Sequence, residues 1–313
     1  RDDLVTGVQT CALPIFKSIL FPFIVMYTSF SYSNDHNIIN DIVGVNTYYT
    51  TTKDDTLISI ARKYDISFAD ILSANKPKMD PWIPGANKKL LIPISHILPF
   101  SKRDGIVINI GDLRLYYYSE GILIDTYPIG IGRSGWETPM GKAKVIKKKK
   151  DPIWIPPDSI RKEDPSLPKV VAAGIDNPLG NRAIYLSMPS YLIHGTNKPY
   201  GVGMKVSHGC IRLYPEDIIK LFDYVSEGTK VNIIDQPIKA GWRNNKLFIE
   251  VHDLPEYALD NANKDKIKKS ELYPMAYKVV QRAAGINITT VDWDKVKNAV
   301  QLSKGIPVEI MFN

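Results

Sequence analysis

The chain has 313 residues, of which 44% are hydrophobic and 23% charged, enough apolar material for one to three domains with real cores. Lys and Arg number 40 against 33 Asp and Glu, a formal net charge of +7 that favours anionic surroundings. The excess is spread out, and no zinc-knuckle spacing or RNP-like aromatic motif is present, so nucleic acid is not expected as a partner.

In chain order, residues 5–15, VTGVQTCALPI, resemble the in-frame translation of a sequencing-library adapter, and residues 1–15 are set aside as adapter-derived. Residues 16–33 carry a lone Lys17, an apolar run from Ile19 to Tyr27 and a Ser31-x-Ser33 pattern, which reads as a signal peptide. The run is short for a membrane span. Once such a leader is removed, Cys210 is the only cysteine left of two. It can form no intramolecular disulfide, and in an oxidising compartment it is either buried and inert or needed for chemistry.

Residues 46–94 read as a small βααβ unit. Tyr48–Thr52 is β-branched and aromatic. Asp54 or Asp55 is the expected cap of a helix whose Leu57, Ile60, Ala61 and Tyr64 form one apolar stripe. Ser67-x-x-Asp70 spells a capping box for a second helix, with Phe68, Ile71 and Leu72 inward. Pro84-Gly85 then turns the chain into the strand KKLLIP. Residues 94–105 read as an extended, proline-punctuated linker.

Beyond it, GIVINI, LRLYYYS and ILIDTYPIGIG are short β runs separated by the turn signals Gly111-Asp112 and Glu120-Gly121, which predicts a meander. KAKVIKKKK continues it, and Lys147–Lys150 is expected to be solvated or to guard a sheet edge. A proline-rich excursion follows over 151–168. Pro215, Glu216 and Asp217 open a helix with Ile218, Leu221, Phe222 and Val225 inward and Gly228 at its end. KLFIEVH is a further strand, and Glu271–Ala284 and Trp293–Leu302 are expected helices.

The chemistry-bearing residues cluster in IHGT and SHGC, with His194 and Cys210 16 residues apart. A thiol is mostly protonated at neutral pH and needs a base or a positive neighbour to act as a nucleophile. His194 and His208 are both near in sequence, and spacing does not choose between them. Gly209 allows a sharp turn that leaves backbone N–H groups free to face an oxyanion. Arg212 falls on the same side of an extended chain as Cys210 and can hold a carboxylate by two hydrogen bonds. No H-E-x-x-H or paired C-x-x-C is present, so no metal is expected.

The blocks DDTLISIARKY, LSANK and PGANKKLLIP resemble the LysM module, a family that binds the N-acetylglucosamine-containing backbone of peptidoglycan or chitin. Lys53 and Asp54 depart from its usual glycine and acid. IHGTNKPYGVGMKVSHGCIRLYPED resembles the signature of the YkuD-type L,D-transpeptidases, supported by stretches spanning about Gly105 to Trp242. The two resemblances imply a mainly β catalytic domain, a sandwich or barrel with a short helix after the cysteine motif, over 104–236. In front of it stands the small α+β LysM domain over 46–94, and behind it a C-terminal extension over 237–313.

The resemblance further implies that Cys210 is the nucleophile and His194 the base, steadied by the Gly195 carbonyl. His208, Gly209 and Ser207 match the oxyanion and support region, and Arg212 and Tyr200 match substrate contacts. The implied reaction releases D-alanine from a tetrapeptide stem and passes the acyl group to a stem amine or a lipoprotein lysine, with no cofactor. The implied setting is the Gram-negative periplasm, with peptidoglycan as the partner and an outer-membrane lipoprotein as an alternative acceptor. Hydrolysis by the same fold, and wall binding with an inactive catalytic domain, are the alternative readings.

Overall fold

The computed structural model describes residues 40–75, 80–252 and 269–312, so the adapter-like stretch and the signal-like leader lie outside the described residues. After β1 (Ile42–Val43), β2 (Thr47–Thr50) pairs antiparallel with β3 (Lys89–Ile92). Between them stand α1 (Leu57–Lys63) and α2 (Phe68–Ala74), and their buried Leu57, Ile60, Phe68 and Ile71 pack with Leu90 and Ile92. Ser67 and Asp70 form the expected capping box. The cap of α1 is Thr56, whose hydroxyl accepts the Ser59 N–H at 2.9 Å. Asp55 is otherwise engaged: it accepts from the Thr52 N–H, the Thr52 hydroxyl and the Tyr49 hydroxyl. A carboxylate held by three donors closes the preceding loop and leaves capping to the next residue.

The expected linker is only partly one. β4 (His96–Ile97) pairs with β1, and Ser95, His96, Ile97 and Leu98 are all buried. The Ile97 N–H donates to the Glu250 carboxylate, so a partner 153 residues away supplies what local sequence could not announce.

β5 (Gly105–Asn109), β6 (Arg114–Ser119) and β7 (Ile122–Pro128) form the expected meander. There follow β8 (Ile131–Gly132), β9 (Gly141–Lys150), α3 (Asp158–Glu163), β10 (Arg182–Leu186), β11 (Leu192–His194), β12 (Lys205–Ser207), β13 (Ile211–Arg212), α4 (Pro215–Tyr224) and β14 (Lys230–Ile234). Eight of these strands make one sheet in the order β13-β11-β10-β9-β14-β5-β6-β7, and β12 pairs with β8. One face of the sheet holds the main core, where Ile106, Ile184, Ile193 and Ile211 meet Ile218, Leu221 and Phe222 of α4. α4 opens on Pro215 as expected but ends at Tyr224, because Val225 turns extended and buries its side chain.

β9 is flanked by β10 along Lys147–Lys150 but by β14 only along Gly141–Lys144, so the lysine run has no ladder partner on its second side and stands at a local sheet edge, as expected. Lys149 and Lys150 are solvated, whereas the Lys148 ammonium lies 4.3 Å from the centre of the Phe222 ring and donates to the Val225 carbonyl. β14 comes from far along the chain, and its pairing was not visible in the local pattern.

The extension forms its own layer. β15 (Ile238–Arg243), β16 (Lys246–Val251) and β17 (Val308–Glu309) make a sheet, and α5 (Lys269–Ala284) and α6 (Trp293–Leu302) cover it. A buried ionic network joins this layer to the large sheet. Lys239 Nζ lies 2.7 Å from Asp112 Oδ2, 3.0 Å from Glu250 Oε1 and 3.0 Å from the Tyr116 hydroxyl. Burial opposes ionisation of Glu250, but Lys239, then His252 and His96, outweigh it and hold the carboxyl well below its usual range.

All described residues belong to one unit, 38–313, and the βααβ module is seated directly on the large sheet's domain. Arg62 grips Glu216 with two hydrogen bonds of 2.7 and 2.8 Å, the Tyr214 hydroxyl donates to the Ile66 carbonyl, and Met204 packs against the module's core. Breaking a buried ion pair from one side strands the other charge. Lys239→Met is therefore expected to lower unfolding free energy by about 3–5 kcal/mol, read by denaturant titration.

Candidate active site

The site is set by strand register. β11 and β13 run parallel with Ile193 opposite Ile211 and His194 opposite Arg212. Side chains alternate along a strand, so Ile193 and Ile211 point into the core while Leu192, His194, Cys210 and Arg212 share the other face. The first pair is fully buried in the core cluster, and the other four residues line a cleft of about 660 Å³. Cys210 thus stands one side-chain step along from His194 on the neighbouring strand. The sheet wall is completed by Tyr185 of β10, opposite Leu192.

His194 is 4% exposed, and its Nδ1 lies 2.6 Å from the Gly195 carbonyl oxygen. A carbonyl only accepts, so Nδ1 carries the proton and Nε2 is left as the acceptor. Burial, then the Arg212 charge, lowers the imidazole pKa to about 3, against the opposing pull of the Gly195 carbonyl. Burial likewise pushes the Cys210 thiol up, while the Leu192 N–H and Arg212 pull it partly back. The resting pair is therefore neutral thiol and neutral imidazole, with the S–H directed at the Ser190 carbonyl 3.5 Å away. Ser190 holds this position with φ +72°. A pair in this state can act only if the proton leaves sulfur as the sulfur attacks, which would be general-base chemistry.

The turn that carries Cys210 is braced from within. The Ser207 hydroxyl donates to the Cys210 carbonyl at 2.6 Å and accepts the Gly209 N–H at 3.2 Å. Gly209 adopts φ +98°, and a Cβ there would lie 2.8 Å from the Tyr191 ring. Buried Thr138 accepts the Gly132 N–H and donates to the Gly209 carbonyl at 2.8 Å, a support that sequence reasoning missed. The expectation of free N–H groups is corrected at Gly209, whose N–H is already satisfied by Ser207. The Cys210 N–H has no backbone partner among the described residues and remains an open donor.

Arg212 is set deep in the cleft, and among the described residues its Nε finds no hydrogen-bond partner. Burial lowers its pKa, the cost of holding a cation with little compensation. His208 lines the cleft, and its Nε2 donates to Glu163 Oε2 at 3.0 Å, with Arg133 Nη2 beside it on the same carboxylate. Tyr200 stands on the turn Pro199–Gly201, 47% exposed and outside the cleft lining.

The excursion after β9 also lines the cleft, and sequence reasoning gave it no role. It supplies Trp154, Ile155, Pro157 and Ile160 to the wall facing the sheet. Its root is held by buried Asn177, whose Nδ2 donates to the Pro152 carbonyl at 2.8 Å, and by a bridge between Trp154 and Val171. Tryptophan and isoleucine among prolines were the available signal, since exposed apolar loop residues mark binding surfaces.

Among the described residues, Asp112, Glu250 and His252 bring ligand atoms within 4.8 Å of one another. The Lys239 ammonium occupies the cation position between the two carboxylates, so the cluster is an internal ion network.

The L,D-transpeptidase catalytic domain matches residues 103–233, and the LysM domain matches residues 49–93. "Probable L,D-transpeptidase YcfS" of Escherichia coli is 39% identical over 280 residues, covering 86% of this chain and 85% of the relative. The chain belongs to the L,D-transpeptidase family. "Probable L,D-transpeptidase ErfK/SrfK" of Salmonella typhimurium is 38% identical over 261 residues, covering 81% of this chain and 82% of the relative. An L,D-transpeptidase structure from Mycobacterium tuberculosis aligns with a TM-score of 0.33 at 17% identity, over 47% of this chain and 72% of that one. This L,D-transpeptidase is an enzyme of mainly β fold with a LysM domain, a pairing that fits peptidoglycan as its target.

The neutral pair has a measurable consequence. Thiolate is the species that alkylates, and a raised pKa delays its appearance to higher pH. Iodoacetamide labelling of Cys210, followed by mass spectrometry, is expected to rise with a midpoint above the ordinary value of about 8.5 and no inflection near about 6.5. A midpoint below the ordinary value would contradict a neutral resting pair.

Proposed function

We propose that this enzyme is an exported peptidoglycan L,D-transpeptidase that works through a Cys210 thioester, with His194 as its general base. The donor is a tetrapeptide stem, cut between its third residue and the terminal D-alanine. As Cys210 sulfur bonds to the carbonyl carbon at the L-centre, its proton passes to His194 Nε2. The tetrahedral intermediate collapses, His194 returns that proton to the departing amine, and D-alanine leaves. An acceptor amine then attacks the thioester, loses its proton to His194 and restores the thiol.

The observation that carries this reading is the Arg212 guanidinium, half-buried in the cleft that Cys210 lines, with its Nε unpartnered among the described residues. Stem peptides are rich in carboxylates, and one seated against Arg212 compensates that charge and orients the donor. The Cys210 N–H supplies a donor for the developing oxyanion. Gly209 and Ser207 hold the turn, and Tyr200 contributes at the rim. The LysM domain, seated on α4 through Arg62 and Glu216, holds the glycan strand of the same polymer near the cleft.

The acceptor is an amine of a neighbouring stem, giving a 3-3 cross-link, or a lysine of an outer-membrane lipoprotein. In this reading the signal-like leader over residues 16–33 is the export signal and the setting is the periplasm.

The test is mass spectrometry of products from tetrapeptide-bearing wall fragments. Residues 34–313 are expected to release D-alanine and yield a cross-linked dimer, or a lipoprotein adduct when that acceptor is supplied. Cys210→Ala is expected to abolish release while leaving the melting temperature unchanged. His194→Ala is expected to cost at least about a hundredfold in rate, far more than His208→Gln. Tripeptide alone would identify a hydrolase, and no release from the folded protein would leave the wall-binding reading.

A further inference from the structure

Helix α3, inside the excursion that walls the cleft, has none of its residues buried and no side-chain cap at its start. Apolar burial does not seat it. Its last residue, Glu163, reaches across to the nucleophile side instead. Oε2 lies 2.5 Å from Arg133 Nη2 and 3.0 Å from His208 Nε2, and Oε1 accepts the Trp136 indole N–H at 2.8 Å. The Trp136 and His208 rings meet edge to face, 4.8 Å between centres and 78° between planes.

Position decides what this carboxylate does. Trp136 and His208 line the cleft, whereas Glu163 and Arg133 do not. The carboxylate therefore holds the two rings from behind and does not itself face the substrate. What it holds is tightly coupled to the nucleophile turn. A Cβ on Gly132 would fall 1.8 Å from the Trp136 carbonyl and 2.9 Å from Gly209 Cα, so these three backbones are in direct contact. His208 and Gly209 are the two residues immediately before Cys210. Bonds from His208, then Arg133, hold the Glu163 carboxyl down to about 2, with Trp136 adding to them, so it stays charged at any working pH.

We propose that Glu163 is a positioning residue for acyl transfer at Cys210: it pins the excursion to the Trp136 and His208 rings and thereby fixes the cleft wall beside the nucleophile. The kinetic half of this inference rests on the transpeptidase reading above, and the geometric half does not. With Glu163 neutral or removed, α3 loses its charged anchor, the two rings lose their common acceptor, and the wall opens toward solvent.

The experiment uses the full chain with Glu163→Gln, which keeps the shape, and Glu163→Ala. Two readouts separate positioning from mere stability: the labelling rate of Cys210 by a bulky maleimide against that by small iodoacetamide, and kcat and KM for a tetrapeptide donor. Both variants are expected to raise maleimide labelling about fivefold or more while iodoacetamide labelling changes less. They are expected to lower kcat/KM by about tenfold, mostly in kcat, the mark of lost orientation in the reacting complex. Melting temperature is expected to stay close to that of the parent, because the cluster is solvent-exposed. Unchanged labelling and unchanged kinetics in both variants would overturn the proposal, as would losses that follow melting temperature alone. If the parent releases no D-alanine, the function reading fails, and the labelling ratio still decides the positioning of Glu163.

Discussion

Parallel pairing of β11 with β13 is the constraint on which the site depends. Two parallel strands cannot be joined by a tight hairpin, so the chain between them has to leave the sheet and return. Here that crossover includes β12, which pairs with β8, and the loop against which the LysM domain rests. The register then leaves no freedom. With Ile193 opposite Ile211 in the core, His194, Arg212, Leu192 and Cys210 have to face the cleft together. A slip of one residue would turn His194 into the core and the isoleucines into the cleft.

Burial of that face sets the chemistry. The same desolvation that lowers His194 and raises Cys210 removes the ion pair that a solvated Cys-His couple can form. A neutral thiol survives an oxidising compartment better than a thiolate, because thiolate is the reactive form. The neighbouring Arg212 adds a fixed positive charge in a low-dielectric cleft, where it acts strongly on any developing anion. In the proposed reaction, a quiet thiol at rest and its activation beside a seated substrate both come from one environment.

The molecule is also more integrated than a string of modules. β1 and β4, which flank the LysM domain, form a two-stranded sheet held to the C-terminal extension: the Asp41 N–H donates to the Trp242 carbonyl, and Glu250 accepts the Ile97 N–H. Lys239 fastens the extension to Asp112 beside the large sheet. The LysM helices meet α4 through Arg62 and the chain before the cysteine motif through Met204. The LysM domain and the catalytic domain are therefore carried on one framework.

Much of this was legible in the sequence because it is local. The capping box Ser67-x-x-Asp70, the apolar stripe of α1, the meander turns and the extents of α5 and α6 are written in residues a few positions apart, where hydrogen-bond and packing partners are near neighbours. The shared side of Cys210 and Arg212 followed from strand alternation, whereas the choice of His194 came from a motif and not from spacing, which left His208 equally eligible as the base. What only the tertiary structure decided were contacts between distant segments: Glu250 to Ile97, β14 beside β9, Thr138 beneath Gly209, and Glu163 behind His208. A carboxylate in a polar loop carries no mark of the cation it will meet. Its partner is chosen by how the sheet folds, and that choice is a property of the whole chain.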